Sequence, residues 1–110
     1  MGESEKIDSG QKLVYHILLR PEVYSDLKES FQWYSDQHEI LGMEFIEQIE
    51  SCFERIKSNP YSYQLIKKNL RRAIVRKFPF GIFYQIENNE IIIFAIFHLS
   101  RLPGNVKRRR

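Results

Sequence analysis

The chain has 110 residues, 43% of them hydrophobic and 14% aromatic, which is enough for one buried core and leaves no room for a second. A single cysteine, Cys52, excludes an intrachain disulfide, and no Cys/His cluster has the spacing of zinc ligands. The net charge of +3 is unevenly divided: residues 1–60 hold 6 Lys/Arg against 12 Asp/Glu, a net of −6, whereas residues 61–110 hold 11 against 2, a net of +9. Such asymmetry points to an anionic partner for the second half, the plainer alternative being a solvated basic face that offsets acidic helices.

Residues 1–12 mix charged residues with Gly and Ser and lack the apolar h-region of a signal peptide, so they are expected to form a flexible leader. The longest apolar stretch, Ile91 to Phe97, falls far short of the roughly 20 residues that span a bilayer. A soluble cytoplasmic protein is expected, with one domain over residues 13–106 and a basic tail at 107–110.

Leu13 to Leu19 is a short apolar, β-favouring run and reads as a strand. Arg20-Pro21-Glu22 ends it. Proline suits the first helical turn, and Glu22 and Asp26 complement the positive end of the helix dipole. A helix over Pro21 to Gln37 follows, with Val23, Leu27, Phe31 and Tyr34 on one stripe and Trp33 at its edge. The polar run Ser35 to Glu39 and Leu41-Gly42 interrupt the period. A second stripe at Phe45, Ile46, Ile49, Phe53 and Ile56 predicts a second helix ending at Asn59-Pro60. Together they predict an antiparallel hairpin turned to one core.

After a polar loop, Tyr61 to Leu70, the period changes to two. Strands are expected over Arg71 to Lys77, Phe80 to Glu87 and Glu90 to Leu99, the last two joined by a tight turn at Asn88-Asn89. With Glu87 facing Glu90, uninterrupted pairing puts Phe80, Ile82, Tyr84 and Ile86 with Phe97, Ala95, Ile93 and Ile91 on the helix-covered face. The opposite face would carry Phe83, Phe94 and Ile96, an apolar surface with nothing of this chain's helices left to cover it. A tight turn at Phe78-Pro79 would add Arg72, Ile74, Arg76 and His98 to that face. The fold class is therefore α+β: an N-terminal strand and a helical hairpin on an antiparallel sheet of about four strands.

Phosphate loops, Ser/His/Asp signatures and metal motifs are missing from the sequence, and no cofactor is expected. What remains is a cluster of Arg72, Arg76, His98 and Arg101, with Lys77 and the tail Lys107 to Arg110 nearby. Guanidinium groups grip phosphate bidentately, and an imidazole can move a proton near neutral pH. Such a set would support metal-free RNA cleavage by a neighbouring 2′-hydroxyl, the arginines stabilising the phosphorane. The plainer reading is that edge arginines guard against sheet aggregation and His98 merely ends a strand. His16, His38 and Cys52 read as structural or solvated.

The opening strand with Arg20-Pro21, then Asp26-Leu27, Trp33-Tyr34, Leu41-Gly42 with Phe45, Asn59-Pro60, Arg71-Arg72, Phe78-Pro79-Phe80-Gly81-Ile82-Phe83-Tyr84 and His98-Leu99-Ser100-Arg101 with Pro103 resemble, in that order, the RelE/ParE superfamily of bacterial type II toxins. The resemblance implies a growth-arresting toxin neutralised by a cognate antitoxin in a hetero-oligomer. The antitoxin would fold over the apolar second face, with Phe83, Phe94, Ile96, Arg72 and Arg76 as the contact residues. It also implies one of two targets. RelE-like members cut ribosome-bound mRNA with basic residues and often a C-terminal tyrosine or histidine, whereas ParE-like members poison DNA gyrase. No tyrosine follows Tyr84, and Trp33-Tyr34 with His98-x-x-Arg101 look ParE-like, whereas Val106 stands where relatives often carry tryptophan. A ribonuclease using Arg72, Arg76, His98 and Arg101 is the alternative, and an inactive antitoxin-binding member a third.

Overall fold

The computed structural model describes residues 14–101; the leader, the tail and Val106 lie outside that range. Strand β1 is His16–Leu19, and helix α1 is Pro21–Gln37. Pro21 occupies the first turn of α1, where a missing N–H is harmless, with Glu22 beside it. Helix α2, Glu39–Ser58, starts after one intervening residue. That residue, His38, is extended, and its Nδ1 accepts the Ile40 amide at 3.2 Å. An imidazole thus does the capping that Ser or Asp usually does at the first free amides of a helix.

The two helices meet closely at Gly42. Expected as part of a break in the pattern, Gly42 is instead a buried residue inside α2. A Cβ there would collide with Ser35 Oγ and sit 3.2 Å from Phe31 Cε1. Glycine is needed for the approach of the two helices, not for a turn.

After a short 3-10 turn at Pro60–Ser62 come β2 (Gln64–Lys67), β3 (Leu70–Ile74), β4 (Phe80–Glu87) and β5 (Glu90–His98). Among the described residues these strands form a five-stranded sheet in the order β1-β5-β4-β3-β2. It has five strands rather than about four, because part of the expected Tyr61 to Leu70 loop pairs with β3. It is mixed rather than wholly antiparallel, because β1 runs parallel to β5. A parallel pair needs a long crossover, and the helical hairpin begins it.

The β4-β5 turn matches expectation, with Glu87 opposite Glu90 and Asn88 at φ 57°. Pairing continues through Tyr84 and Ile93 and then shifts by one residue: Phe83 lies opposite Ala95, Ile82 opposite Ile96 and Phe80 opposite His98. Phe94 is the extra residue of a β-bulge. A one-residue slip reverses every side chain beyond it. Ile96 therefore enters the main core with Val23, Phe45 and Ile82, while Ala95 and Phe97 leave it for the other face.

On the helix side, Tyr34, Phe45, Phe78 and Phe80 form an aromatic knot. Tyr34 stacks on Phe45 at 5.3 Å between centroids and meets Phe78 edge-on at 4.9 Å, and Phe45 meets Phe80 at 5.0 Å. The knot ties both helices to the strand ends. On the far side of the sheet, Leu70, Phe83, Ala95 and Phe97 form a smaller cluster with Ile66 packed against it.

Tyr84 crosses the main core to donate its hydroxyl to the Pro60 carbonyl at 2.6 Å. Burial pushes its ionisation well above the ordinary tyrosine range, with the nearby Arg71 partly opposing.

Two outcomes follow from this packing. Gly42→Ala should lower stability by about 1 kcal/mol in urea unfolding, overpacking outweighing the better helix propensity. Ser35→Ala combined with Gly42→Ala should recover most of the loss. For Tyr84, the unfolded chain loses the hydroxyl proton first. Its stabilising effect is whole below about pH 10 and fades as pH rises toward the folded value. Tyr84→Phe should cost about 1 kcal/mol at neutral pH and flatten the loss of stability above about pH 10.

Candidate functional site

Of the four residues expected to converge, Arg72, Arg76 and His98 are dispersed. Arg72 lies on the face away from the helices, opposite Phe83. Its aliphatic stem crosses Gly81, where an added Cβ would sit 3.3 Å from Arg72 Cγ and Cδ and from Leu99 Cδ2. Its Nη2 donates to Gln64 Oε1 at 3.0 Å, and its Nε is buried without a hydrogen-bond partner. Arg76 is exposed in the β3-β4 connection. Its charge reaches Cys52 on α2, where burial raises the thiol's ionisation and Arg55 and Arg76 partly lower it. Arg71 belongs to the helix side, where its Nη1 donates to the Tyr63 and Tyr61 carbonyls at 2.7 and 3.1 Å and its guanidinium covers the Tyr61 ring. It fastens the loop before β2.

His98 is on the helix side, contrary to the uninterrupted register, because the Phe94 bulge precedes it. Its ring meets Phe80 edge-on at 5.3 Å. Its Nδ1 accepts the Ser100 amide at 3.1 Å and lies 2.8 Å from Ser100 Oγ. A backbone amide can only donate, which fixes the tautomer with the proton on Nε2. The main chain of Arg101 closes a 3-10 turn at Leu99–Arg101, and its side chain is outside the description. Arg72 and His98 are thus two strands and three residues apart and on opposite faces.

The expected contact residues also part company. Phe83 is 1% exposed within the far-side cluster, and Ile96 is 1% exposed in the main core, so Ile96 is corrected from the outer to the inner face. Phe94 is half-buried at the bulge, with the Arg20 guanidinium 5.1 Å above its ring. Beyond the end of β1, the free edge of β5 is met by α1: Asp26 Oδ2 accepts the Ile96 amide at 3.4 Å.

What the structure does assemble is a pocket of about 360 Å³ between α1 and the ends of β4 and β5. Glu29, Ser30, Trp33 and Tyr34 supply one wall, and Phe80, His98 and Ser100 the other. The sequence marks Trp33, Tyr34 and Phe80 as packing residues and gives, in residue type, no sign of Glu29 or Ser30 as site residues. The spacing of Glu29, Ser30, Trp33 and Tyr34 on one helical face was the available signal. Their meeting with His98 required the bulge. Among the described residues no group of His, Cys, Asp and Glu could hold a metal ion, and no helix is long and apolar enough to cross a membrane.

The fold is similar to that of a chain from the chromosomal ParDE toxin–antitoxin system of P. aeruginosa. The TM-score is 0.70 at 12% identity, covering 80% of this chain and 99% of that one. No curated protein matches the sequence. Residues 17–103 match the family model for the ParE toxin of the type II toxin–antitoxin system, parDE. The chain belongs to the ParE toxin family.

The separation of Arg72 from His98 gives a direct expectation. Alanine substitutions at the two positions should have additive effects on stability, with a coupling energy within about 0.5 kcal/mol in a double-mutant cycle.

Proposed function

We propose that this protein is the toxin of a ParDE-type pair, arresting growth in the cytoplasm by binding DNA gyrase, and is held inactive by a cognate antitoxin in a hetero-oligomer. The family match over residues 17–103 supports the toxin reading. The observation that favours contact over catalysis is the placement of Arg72 and His98 on opposite faces of the sheet. Phosphoryl chemistry requires the charge-stabilising group and the proton-transfer group within reach of one phosphate. A sheet thickness intervenes here. The basic second half of the chain, at +9, suits an acidic antitoxin segment.

The purified protein should inhibit supercoiling by gyrase, and addition of the antitoxin should relieve the inhibition. Unchanged supercoiling at a large molar excess of toxin would remove the gyrase assignment. Ribosome-dependent mRNA cleavage in a translating extract, lost in both Arg72→Ala and His98→Ala, would replace it with the ribonuclease reading.

A further inference from the structure

The far side of the sheet is closed more completely than the described residues explain. Phe83 is 1% and Phe97 4% exposed, yet neither helix contributes to the cluster they form with Leu70 and Ala95. Ile66 of β2 packs against that cluster, but β2 lies three strand spacings, about 14 Å, from β5. It can cover Leu70 and Phe83 and does not reach Phe97. Directly opposite Phe97 is Gly81, which offers no side chain. The Arg72 stem and Leu99 fill the space over Gly81 and close the inner flank of the ring. Its outer flank borders the strip of β5 beyond Ile93, where β1 no longer pairs. A phenylalanine at such an edge, on the face without helices, would stand open to solvent. Its burial within a single chain means that a further part of this chain lies over it.

We propose that residues 102–110 fold back over the far side of β5, with Leu102 and Val106 on the Phe97 ring and the cations of residues 107–110 along the acidic edge of α1. Two stretches of the chain, residues 1–13 and 102–110, lie outside the described range, and three observations select the second. Position is the first. The tail departs beside Phe97, and Leu99 already has its side chain over Gly81 on the far side. The leader instead enters at the start of β1, where His16 pairs with Glu90, about 23 Å along the sheet from Phe97. The second is turn chemistry. Leu102-Pro103-Gly104-Asn105 has Pro and Gly at the central positions of a type II turn, which reverses the chain and sends Val106 back along β5. Residues 105–110, extended, span about 20 Å, enough to run the length of the strip from Phe94 to His98. The third is charge. Glu22, Asp26 and Glu29 follow one another at four- and three-residue steps on one line of α1, and Asp26 reaches the β5 edge at the Ile96 amide. Residues 102–110 hold 4 Lys/Arg and no Asp/Glu, a net of +4, whereas residues 1–13 hold 2 against 3, a net of −1. Attachment favours the chain's own tail over a free peptide, since it is present at an effective concentration on the order of 1 mM or more. The inference stands on burial and charge and is independent of the gyrase assignment.

NMR of the full-length protein should show nuclear Overhauser contacts between the Val106 methyl groups and the Phe97 ring. Trypsin should cut after Lys107 and Arg108 about tenfold more slowly than in a free peptide of residues 99–110, at a rate independent of protein concentration. Val106→Asp should remove most of that protection while the protein stays folded by circular dichroism. Raising the salt from about 0.05 M to about 0.5 M should weaken the protection about twofold by screening the ion pairs. Cleavage as fast as in the free peptide, or protection undiminished in Val106→Asp, would overturn the proposal. Contacts from residues 1–13 to the Phe97 ring would do the same by making the leader the cover. Protection that rises with protein concentration would give the site to a second copy of the chain, and is equally decisive against it.

Discussion

The single extra residue at Phe94 governs the arrangement of everything beyond it in β5. Because side chains alternate along a strand, one inserted residue exchanges inside for outside from Ala95 to His98. Ile96 gains the core and Phe97 the far side. His98 comes to rest against Phe80 beneath α1, where it completes the wall of a pocket. Without the bulge it would share a face with Arg72, and a catalytic grouping would be geometrically reasonable. A local backbone irregularity thus separates two chemistries that the linear pattern superimposes.

The bulge lies where β5 loses its parallel neighbour. Strand β1 pairs with residues 90–93 and then gives way to α1. Beyond that point the edge amide of Ile96 is met by Asp26, a side chain on the helix. An unpaired strand edge invites association with other chains, and a bulge or a covering helix is a usual defence. Both are present here. The hairpin that does the covering is drawn tight by Gly42 against Ser35 and secured to the sheet through Tyr34, Phe45, Phe78 and Phe80.

The charge division takes on meaning within this frame. The helices carry most of the acidic residues and one wall of the pocket, and the sheet half carries the basic ones. Arginines that look alike in the sequence do different work. Arg71 holds a loop, Arg72 lies over Gly81, Arg76 stands exposed near Cys52, and Arg20 covers Phe94. A surface so divided presents faces of opposite charge.

The sequence by itself determined the two helices, the turn at Asn88-Asn89, three of the four strands of the second half, the charge asymmetry and the order of motifs that resembles the toxin superfamily. These depend on local signals: Pro21 at a helix start, apolar residues at three- and four-residue steps, alternation of two. Parallel pairing of β1 with β5 and the use of residues 64–67 as a strand were decided only by the tertiary structure, since both are choices of neighbour rather than of conformation. The bulge belongs with them. Glu90 to Leu99 is apolar on nearly every residue, so either register buries hydrophobic groups and the alternation carries no information about which face is inner. Packing against Asp26, Val23 and the aromatic knot selects one. The site followed the register, and the residues that form it became neighbours only when that choice was made.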